Sequence, residues 1–305
     1  SVGGTGKTPV AGWLARALTQ RGYRVGVVLR GYGGRSTHRV QVVTADGDAR
    51  EVGDEALVHA LSGPHVVVTG ADRVAAARRA VAEGAEVVVC DDGLQHLRLA
   101  RDYEVAVVDA QRGLGNGQLL PAGPLREPPA RLESVDAVVF TERGMPVHAA
   151  RAVRRPRSLA ARLSLGDAVN VGSGERRALD SFRGRVVHAV AGIGHPEAFF
   201  AALRAAGLEV AAHPLADHAA LDPGRLPFPT TATVLMTAKD AVKCRSFAGA
   251  DWWLVDLGVQ PVPVFDLKAL RQQIDDLRVE GRPAGVVESC HRVGRGDQHL
   301  QSFAE

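Results

Sequence analysis

Ser1-Val2-Gly3-Gly4-Thr5-Gly6-Lys7-Thr8-Pro9 opens the chain, and its reading decides the fold. A Gly-Lys-Thr string that opens a helical pattern is the chemical centre of a phosphate-binding loop. Successive backbone N–H groups turn around phosphate oxygens, the lysine meets the β- and γ-phosphates, and the threonine hydroxyl ligates Mg²⁺. Glycines are needed because a side chain would hold the backbone away from the anion. The helix expected over Thr8 to Arg21, stopping at Gly22, adds the positive end of its dipole. Ser1 stands where the usual pattern has its leading glycine, and the strand that normally feeds such a loop is absent from the sequence.

Working outward, short β-branched runs alternate with helical stretches. Arg24 to Arg30, His65 to Thr69, Glu86 to Cys90, Glu104 to Asp109 and Val135 to Thr141 are near-continuously apolar. Strands of that kind are buried on both faces, which implies a parallel sheet covered by helices. Glu55 to Leu61 and Asp72 to Glu83 read as two of those helices. The first half is thus expected to be a doubly wound α/β domain, with ligands gathering at the carboxyl ends of its strands.

Two such ends carry chemistry. The strand ending at Cys90 runs into Asp91-Asp92-Gly93-Leu94-Gln95-His96, an apolar strand followed by acids, as the metal-holding strand of a phosphate-loop NTPase requires. Adjacent carboxylates repel unless a cation neutralises them; the other reading is a solvated Asp-Gly turn. The strand ending at Arg30 opens into Gly31-Tyr32-Gly33-Gly34-Arg35, a glycine loop flanked by guanidinium groups able to reach phosphate. Asp54, in Gly53-Asp54-Glu55, reads on local chemistry as a helix cap. Ala110 to Pro129, rich in Gly and Pro, is too long for a plain connector.

Ser158 to Val171 alternates around Gly166-Asp167, a hairpin signal, and is read as a connector. The second half then restarts the rhythm, with strands at Arg185 to Ala191, Leu208 to His213, Thr233 to Met236 and Trp252 to Asp256. Pro196 to Ala206 and Phe265 to Leu277 are its helices, and the tail from Glu280 reads as loose. The expected fold class is α/β, with two three-layer domains of phosphate-loop or Rossmann type whose mostly parallel sheets are joined by a β-hairpin connector. The expected divisions are 1–155, 156–182, 183–280 and 281–305.

The 305 residues, 46% apolar and 23% charged, suit a globular protein of two domains. No apolar run approaches bilayer-spanning length. Three cysteines without metal spacing suit a reducing cytoplasm. A formal charge of +3 suits an anionic ligand or a membrane surface, whereas 5% aromatic residues and no dense basic stripe argue against nucleic acid.

The motifs together resemble the tetraacyldisaccharide 4′-kinase family, the lipid A 4′-kinases of Gram-negative bacteria. The likeness runs from the opening loop through Arg30-Gly31-Tyr32-Gly33, Gly53-Asp54-Glu55, Asp91 to His96, and Leu120 to Pro128, whose Leu-Arg-Glu-Pro is particularly specific. It continues with Ala191 to Pro196, Asp217-His218 and Thr237 to Lys243. The resemblance implies transfer of the ATP γ-phosphate to the 4′ hydroxyl of a tetraacyl disaccharide 1-phosphate at the cytoplasmic face of the inner membrane. It implies that Gly3, Gly4, Thr5, Gly6, Lys7 and Thr8 hold ATP, and that Thr8, Asp91, Asp92 and Glu127 serve Mg²⁺. It makes Asp54 the base, with His218 as partner and Lys7 as a further catalytic group, and assigns Arg30, Tyr32, Gln95, His96 and Arg126 to substrate. The family's loop also lacks the leading glycine. Its members begin with a hydrophobic helix and a strand ahead of the loop, so for a chain starting at Ser1 the expectation is weak or absent activity. Ala238 and Ala219 depart from the residues common in the family and take no role. A dethiobiotin-synthetase-like ligase or metal-insertion NTPase shares the glycine-lysine string but not the Leu-Arg-Glu-Pro loop or the Asp217-His218 pair.

Overall fold

A computed structural model of the chain describes residues 6–142, 157–217, 219, 221–261 and 285–288. The elements of the first half are α1 (Lys7–Thr19), β1 (Val25–Leu29), β2 (Gln41–Val43), α2 (Ala49–Val52), α3 (Asp54–Ser62), β3 (Val66–Thr69), α4 (Arg73–Ala82), β4 (Val87–Cys90), β5 (Tyr103–Asp109) and β6 (Ala137–Glu142). There follow β7 (Arg157–Asn170), β8 (Arg176–Arg177), β9 (Val186–Ala191), α5 (Pro196–Ala205), β10 (Glu209–Pro214), β11 (Val234–Met236), α6 (Ala238–Cys244), β12 (Trp252–Pro261) and β13 (Gly285–Glu288). The expected helix at 265–277 lies outside the described residues.

The five expected strands of the first half are present. Every residue of β1, β4 and β6 is buried, as their unbroken apolar runs require. β1 pairs in parallel with β3 and β4, and β5 with β6. The short edge strand β2, antiparallel to β3, was not expected. In the stretch read as a loose tail, Gly285–Glu288 forms β13, parallel to both β4 and β5. Helix α4 reaches β1 across Gly26, where a Cβ would stand 2.9 Å from that of Ala80, so only glycine permits the approach.

The connector departs from expectation. β7 runs unbroken through Gly166-Asp167, with no turn there. Its first half pairs in parallel with β6 and its length pairs antiparallel with β12, where a register shift between Val255 and Leu257 accommodates the two residues as a bulge. The hairpin does form, but its turn follows Asn170 and its return strand is β8, with Val169 opposite Arg176. β7 therefore carries the hydrogen-bonded path from β6 into the second sheet, which continues β12, β11, β9, β10 in mostly parallel order.

In the second half, α5 buries Phe199, Phe200 and Leu203 against a core that includes Phe182 and Trp253, whose rings meet edge-to-face at 5.4 Å. Truncating either of that pair to alanine costs about 3–5 kcal/mol by loss of buried volume. Helix α6 packs on β12 and on α3, which brings the two halves into contact beside the carboxyl ends of β1 and β4.

Candidate active site

Gly6, in the left-handed region at φ 85°, turns the chain into α1. Pro9 falls in the first turn, where an N–H would have no intrahelical partner in any case. The helix thus presents orphan N–H groups and its positive dipole end at Lys7 and Thr8, an arrangement that favours an anion. Gly3, Gly4 and Thr5 lie outside the described residues. The ammonium of Lys7 pairs with Asp92 Oδ1 across the tip of β4. Asp92 takes φ 55°, a left-handed conformation that aspartate tolerates.

Asp91 is buried, 2% exposed, and its Oδ2 lies 3.0 Å from Nε2 of His59, itself 1% exposed on α3. Burial pushes the Asp91 carboxyl up, but the hydrogen bond and charge of His59, the charge of Lys7 and the Thr8 hydroxyl outweigh it and hold the group below the usual carboxylate range. Asp91 Oδ1 is buried without a well-formed hydrogen bond. An orphaned carboxylate oxygen beside a threonine hydroxyl and a helix N-terminus is a donor set that would fit a hard cation.

The glycine loop after β1 folds back on the turn before α3. A Cβ on Gly53, at φ 89°, would stand 2.7 Å from the carbonyl of Tyr32, so backbone meets backbone there. That contact sets Asp54 at the first position of α3, where its Oδ1 accepts from Glu55 N at 2.8 Å. Asp54 does open the helix, but it is only 5% exposed and its Oδ2 lies 3.6 Å from Nζ of Lys243 on α6. Beside it, Lys239 Nζ lies 2.5 Å from Glu55 Oε1. A cavity of about 580 Å³ opens here between the halves, lined by Gly33, Asp48, Arg50, Asp54, Lys243 and Arg245 among others. His218 lies outside the described residues; the carbonyl of Ala219, next in sequence, accepts from Lys243 Nζ at 2.8 Å.

The expected substrate residues lie on the segments that follow β1, β4 and β5, and none of them lines that cavity. Gln95 Oε1 accepts from Arg126 Nη1 at 3.0 Å while its Nε2 donates to Glu127 Oε1 at 3.2 Å, so the loops after β4 and β5 are cross-braced. Both are anchored on Glu104, buried in β5. Its carboxylate holds Arg101, which donates to the His96 carbonyl, and Arg131, which lies 3.5 Å from Glu127 Oε2. Burial pushes the Glu104 carboxyl up to about 7, against the pull of Arg131 and Arg101. His96 is pushed down by burial and by the positive charges of Arg73 and Arg30, which places these three within electrostatic reach of one another. Arg30 is exposed, and Tyr32 is 62% exposed. Among the described residues no group of three or more His, Cys, Asp or Glu could hold a metal, so Glu127 is not gathered with Asp91 and Asp92.

The sequence pattern described as tetraacyldisaccharide-1-P 4′-kinase matches residues 1–277. This chain belongs to that family. It is 47% identical over 268 residues to the tetraacyldisaccharide 4′-kinase of Pseudomonas paraeruginosa, covering 87% of this chain and 78% of the relative. The enzyme of the same name from Pseudomonas putida is 46% identical over 267 residues, with the same coverage. A crystal structure of LpxK from Aquifex aeolicus in complex with ATP superposes with a TM-score of 0.75 at 27% identity, covering 91% of this chain and 85% of that one.

Within this kinase family fold, four residues that sequence reasoning passed over stand at the site. His59 is an interior helix histidine with no flanking motif. Arg73 is 3% exposed, donates to the Gly70 carbonyl at 2.6 Å, and has its Nε buried without a partner. Lys239 and Lys243 sit in a stretch quoted for its resemblance but given no role.

Proposed function

We infer that this chain is an ATP-dependent kinase that phosphorylates the 4′ hydroxyl of tetraacyldisaccharide 1-phosphate, giving lipid IVA in lipid A biosynthesis. The observation that carries the reading is the meeting of Lys7, at the N-terminus of α1, with the paired acids at the tip of β4, inside a chain of this kinase family. ATP lays its β- and γ-phosphates on the helix N-terminus. Lys7 then exchanges Asp92 for phosphate oxygens, which spread negative charge as transfer proceeds.

The acceptor hydroxyl is a poor nucleophile at neutral pH. Asp54, at the wall of the cleft between the halves, takes its proton as the sugar oxygen bonds to the γ-phosphorus and the bond to the departing ADP oxygen breaks. His218 is read as its partner. Thr8 and Asp91, with Asp92 once Lys7 has moved, are the residues that would hold Mg²⁺. When bound, that ion neutralises charge on the transferring phosphoryl group. Arg30, Tyr32, Gln95, His96 and Arg126 would line the path of the lipid headgroup.

The proposed division is a nucleotide-binding domain of residues 1–155 and a smaller domain from 183 to 280, so that base and partner come from different domains and turnover waits for their approach. We place the enzyme peripherally at the inner-membrane surface. Among the described residues no helix is long and apolar enough to cross a membrane, and Tyr32, Leu97, Leu119 and Leu120 are exposed on loops at the carboxyl ends of β1, β4 and β5, where a lipid substrate would arrive. Transfer of radiolabelled phosphate from ATP to the lipid A disaccharide precursor in mixed micelles is the test. ATP hydrolysis without label on the lipid would refute the acceptor, and no nucleotide binding at all would refute the kinase.

A further inference from the structure

The stretch Thr237 to Lys243 plays no part in the mechanism above. Its helix α6 sets Lys239 and Lys243 four residues apart on one face. That face meets the first turn of α3, where Lys239 pairs with Glu55 at 2.5 Å and Lys243 with Asp54 at 3.6 Å. Lys243 is fixed from two further sides. It donates to the Ala219 carbonyl at 2.8 Å and to Asp240 Oδ1 at 3.2 Å. Asp240 is fixed in turn, its Oδ2 accepting from Gly192 N at 2.9 Å and from the Thr237 hydroxyl at 2.6 Å.

A lysine held by three partners with its side chain 9% exposed is not a solvated surface charge. At 3.6 Å its contact with Asp54 is an ion pair and not a hydrogen bond. The ammonium therefore attracts the carboxylate without itself occupying an acceptor lone pair.

We propose that Lys243, with the Lys239–Glu55 pair beside it, is a positioning residue for Asp54. Helix α6 clamps the first turn of α3 and fixes the direction of the Asp54 carboxylate toward the sugar hydroxyl whose proton it takes. Because Ala219 directly follows His218, the same lysine also ties Asp54 to the segment that carries its partner. The inference rests on the reading of Asp54 as the base.

The test is kinetic. Lys243→Gln keeps an amide able to donate to Ala219 and Asp240 but removes the charge. It should lower kcat by roughly 10- to 100-fold while KM for ATP changes by less than about two-fold, since no phosphate contact is lost. Lys243→Arg should recover much of the loss. In an Asp54→Ala background, Lys243→Gln should cost nothing further, because the two act as one unit. A folded Lys243→Gln enzyme with parental kcat, or the same fold-loss in the Asp54→Ala background, overturns the proposal. Should Lys243→Gln lack a cooperative melt, Glu55→Gln releases only the partly exposed neighbouring pair. A several-fold loss of kcat at constant KM would then support the clamp, and full kcat would overturn it. Asp54→Ala with full kcat would instead refute the base, a result separate from either.

Discussion

His59 Nε2 lies 3.0 Å from Asp91 Oδ2, and neither side chain is more than 2% exposed. The pair joins an interior position of α3 to the tip of β4, so the helix that begins with Asp54 also orients the acid beside Lys7. Removing one partner leaves the other buried and uncompensated, which typically costs about 3–5 kcal/mol. His59→Ala should therefore lower stability by that order, and Asp91→Asn, which retains an oxygen and hydrogen-bonding capacity, by less. Urea melts of the two variants measure the difference. Equal and small effects would mean that water replaces the histidine.

Lys7→Ala should abolish turnover while leaving the fold nearly unchanged. Its pair with Asp92 is partly exposed, 22% and 43% for the two side chains, and such pairs contribute about 0–1 kcal/mol. Near-normal kcat in this variant would refute the phosphate-loop assignment. Asp92→Asn should likewise melt like the parent, yet raise the Mg²⁺ concentration needed for half-maximal rate, as should Asp91→Asn, because each removes charge from a cation site. An unchanged Mg²⁺ titration in both would return Asp91-Asp92 to a turn.

Much of this was legible in the sequence because burial on both faces leaves an unbroken apolar run. The residues of β1, β3, β4, β5 and β6 announce themselves in that way. Gln41–Val43 does not, since three residues at a sheet edge carry too little pattern. Nor does α6, whose seven residues include three charged ones and whose helical state is fixed by packing on β12 and α3. Gly166-Asp167 misled because the signal for a tight turn is the same as that for a bulge; only the long antiparallel partner β12 decides between them. At the site, the glycine loop and the paired acids were legible because phosphate chemistry constrains neighbours in sequence. The Lys239–Glu55 contact spans 184 positions, and no local pattern records it.

His65 gives a pH dependence of known sign. Burial, reinforced by the nearby His59, pushes its imidazole down to about 4. The unfolded chain then binds a proton in the window from 6.5 down to about 4 that the folded chain refuses, so stability from this residue is present above 6.5 and is lost as pH falls through that window. Allowing for partial exposure, the loss is on the order of 1–2 kcal/mol. His65→Phe should flatten this part of the curve. A parent-minus-variant difference independent of pH would show that His65 charges freely in the folded state.

Glu104 should act in the opposite sense over nearly the same range. Burial raises its carboxyl from 4.5 to about 7, so between those values the folded protein keeps a proton that the unfolded chain has released. Its contribution is therefore largest below 4.5 and declines as pH rises through 7, where folding must bury the ionised form against Arg101 and Arg131. Glu104→Gln cannot ionise, so parent-minus-variant stability should fall with rising pH across that window while the His65→Phe difference rises. Urea melts at half-unit pH steps resolve the two slopes. The activity readout separates a positioning effect from a stability effect. Arg101 braces the His96 carbonyl and Arg131 braces Glu127, so Glu104→Gln should loosen both loops and raise KM for the lipid acceptor more than it lowers kcat. A difference curve that stays flat between 4.5 and 7 would mean that the two arginines keep Glu104 ionised throughout, as a buried ion triad with no proton to release in that window.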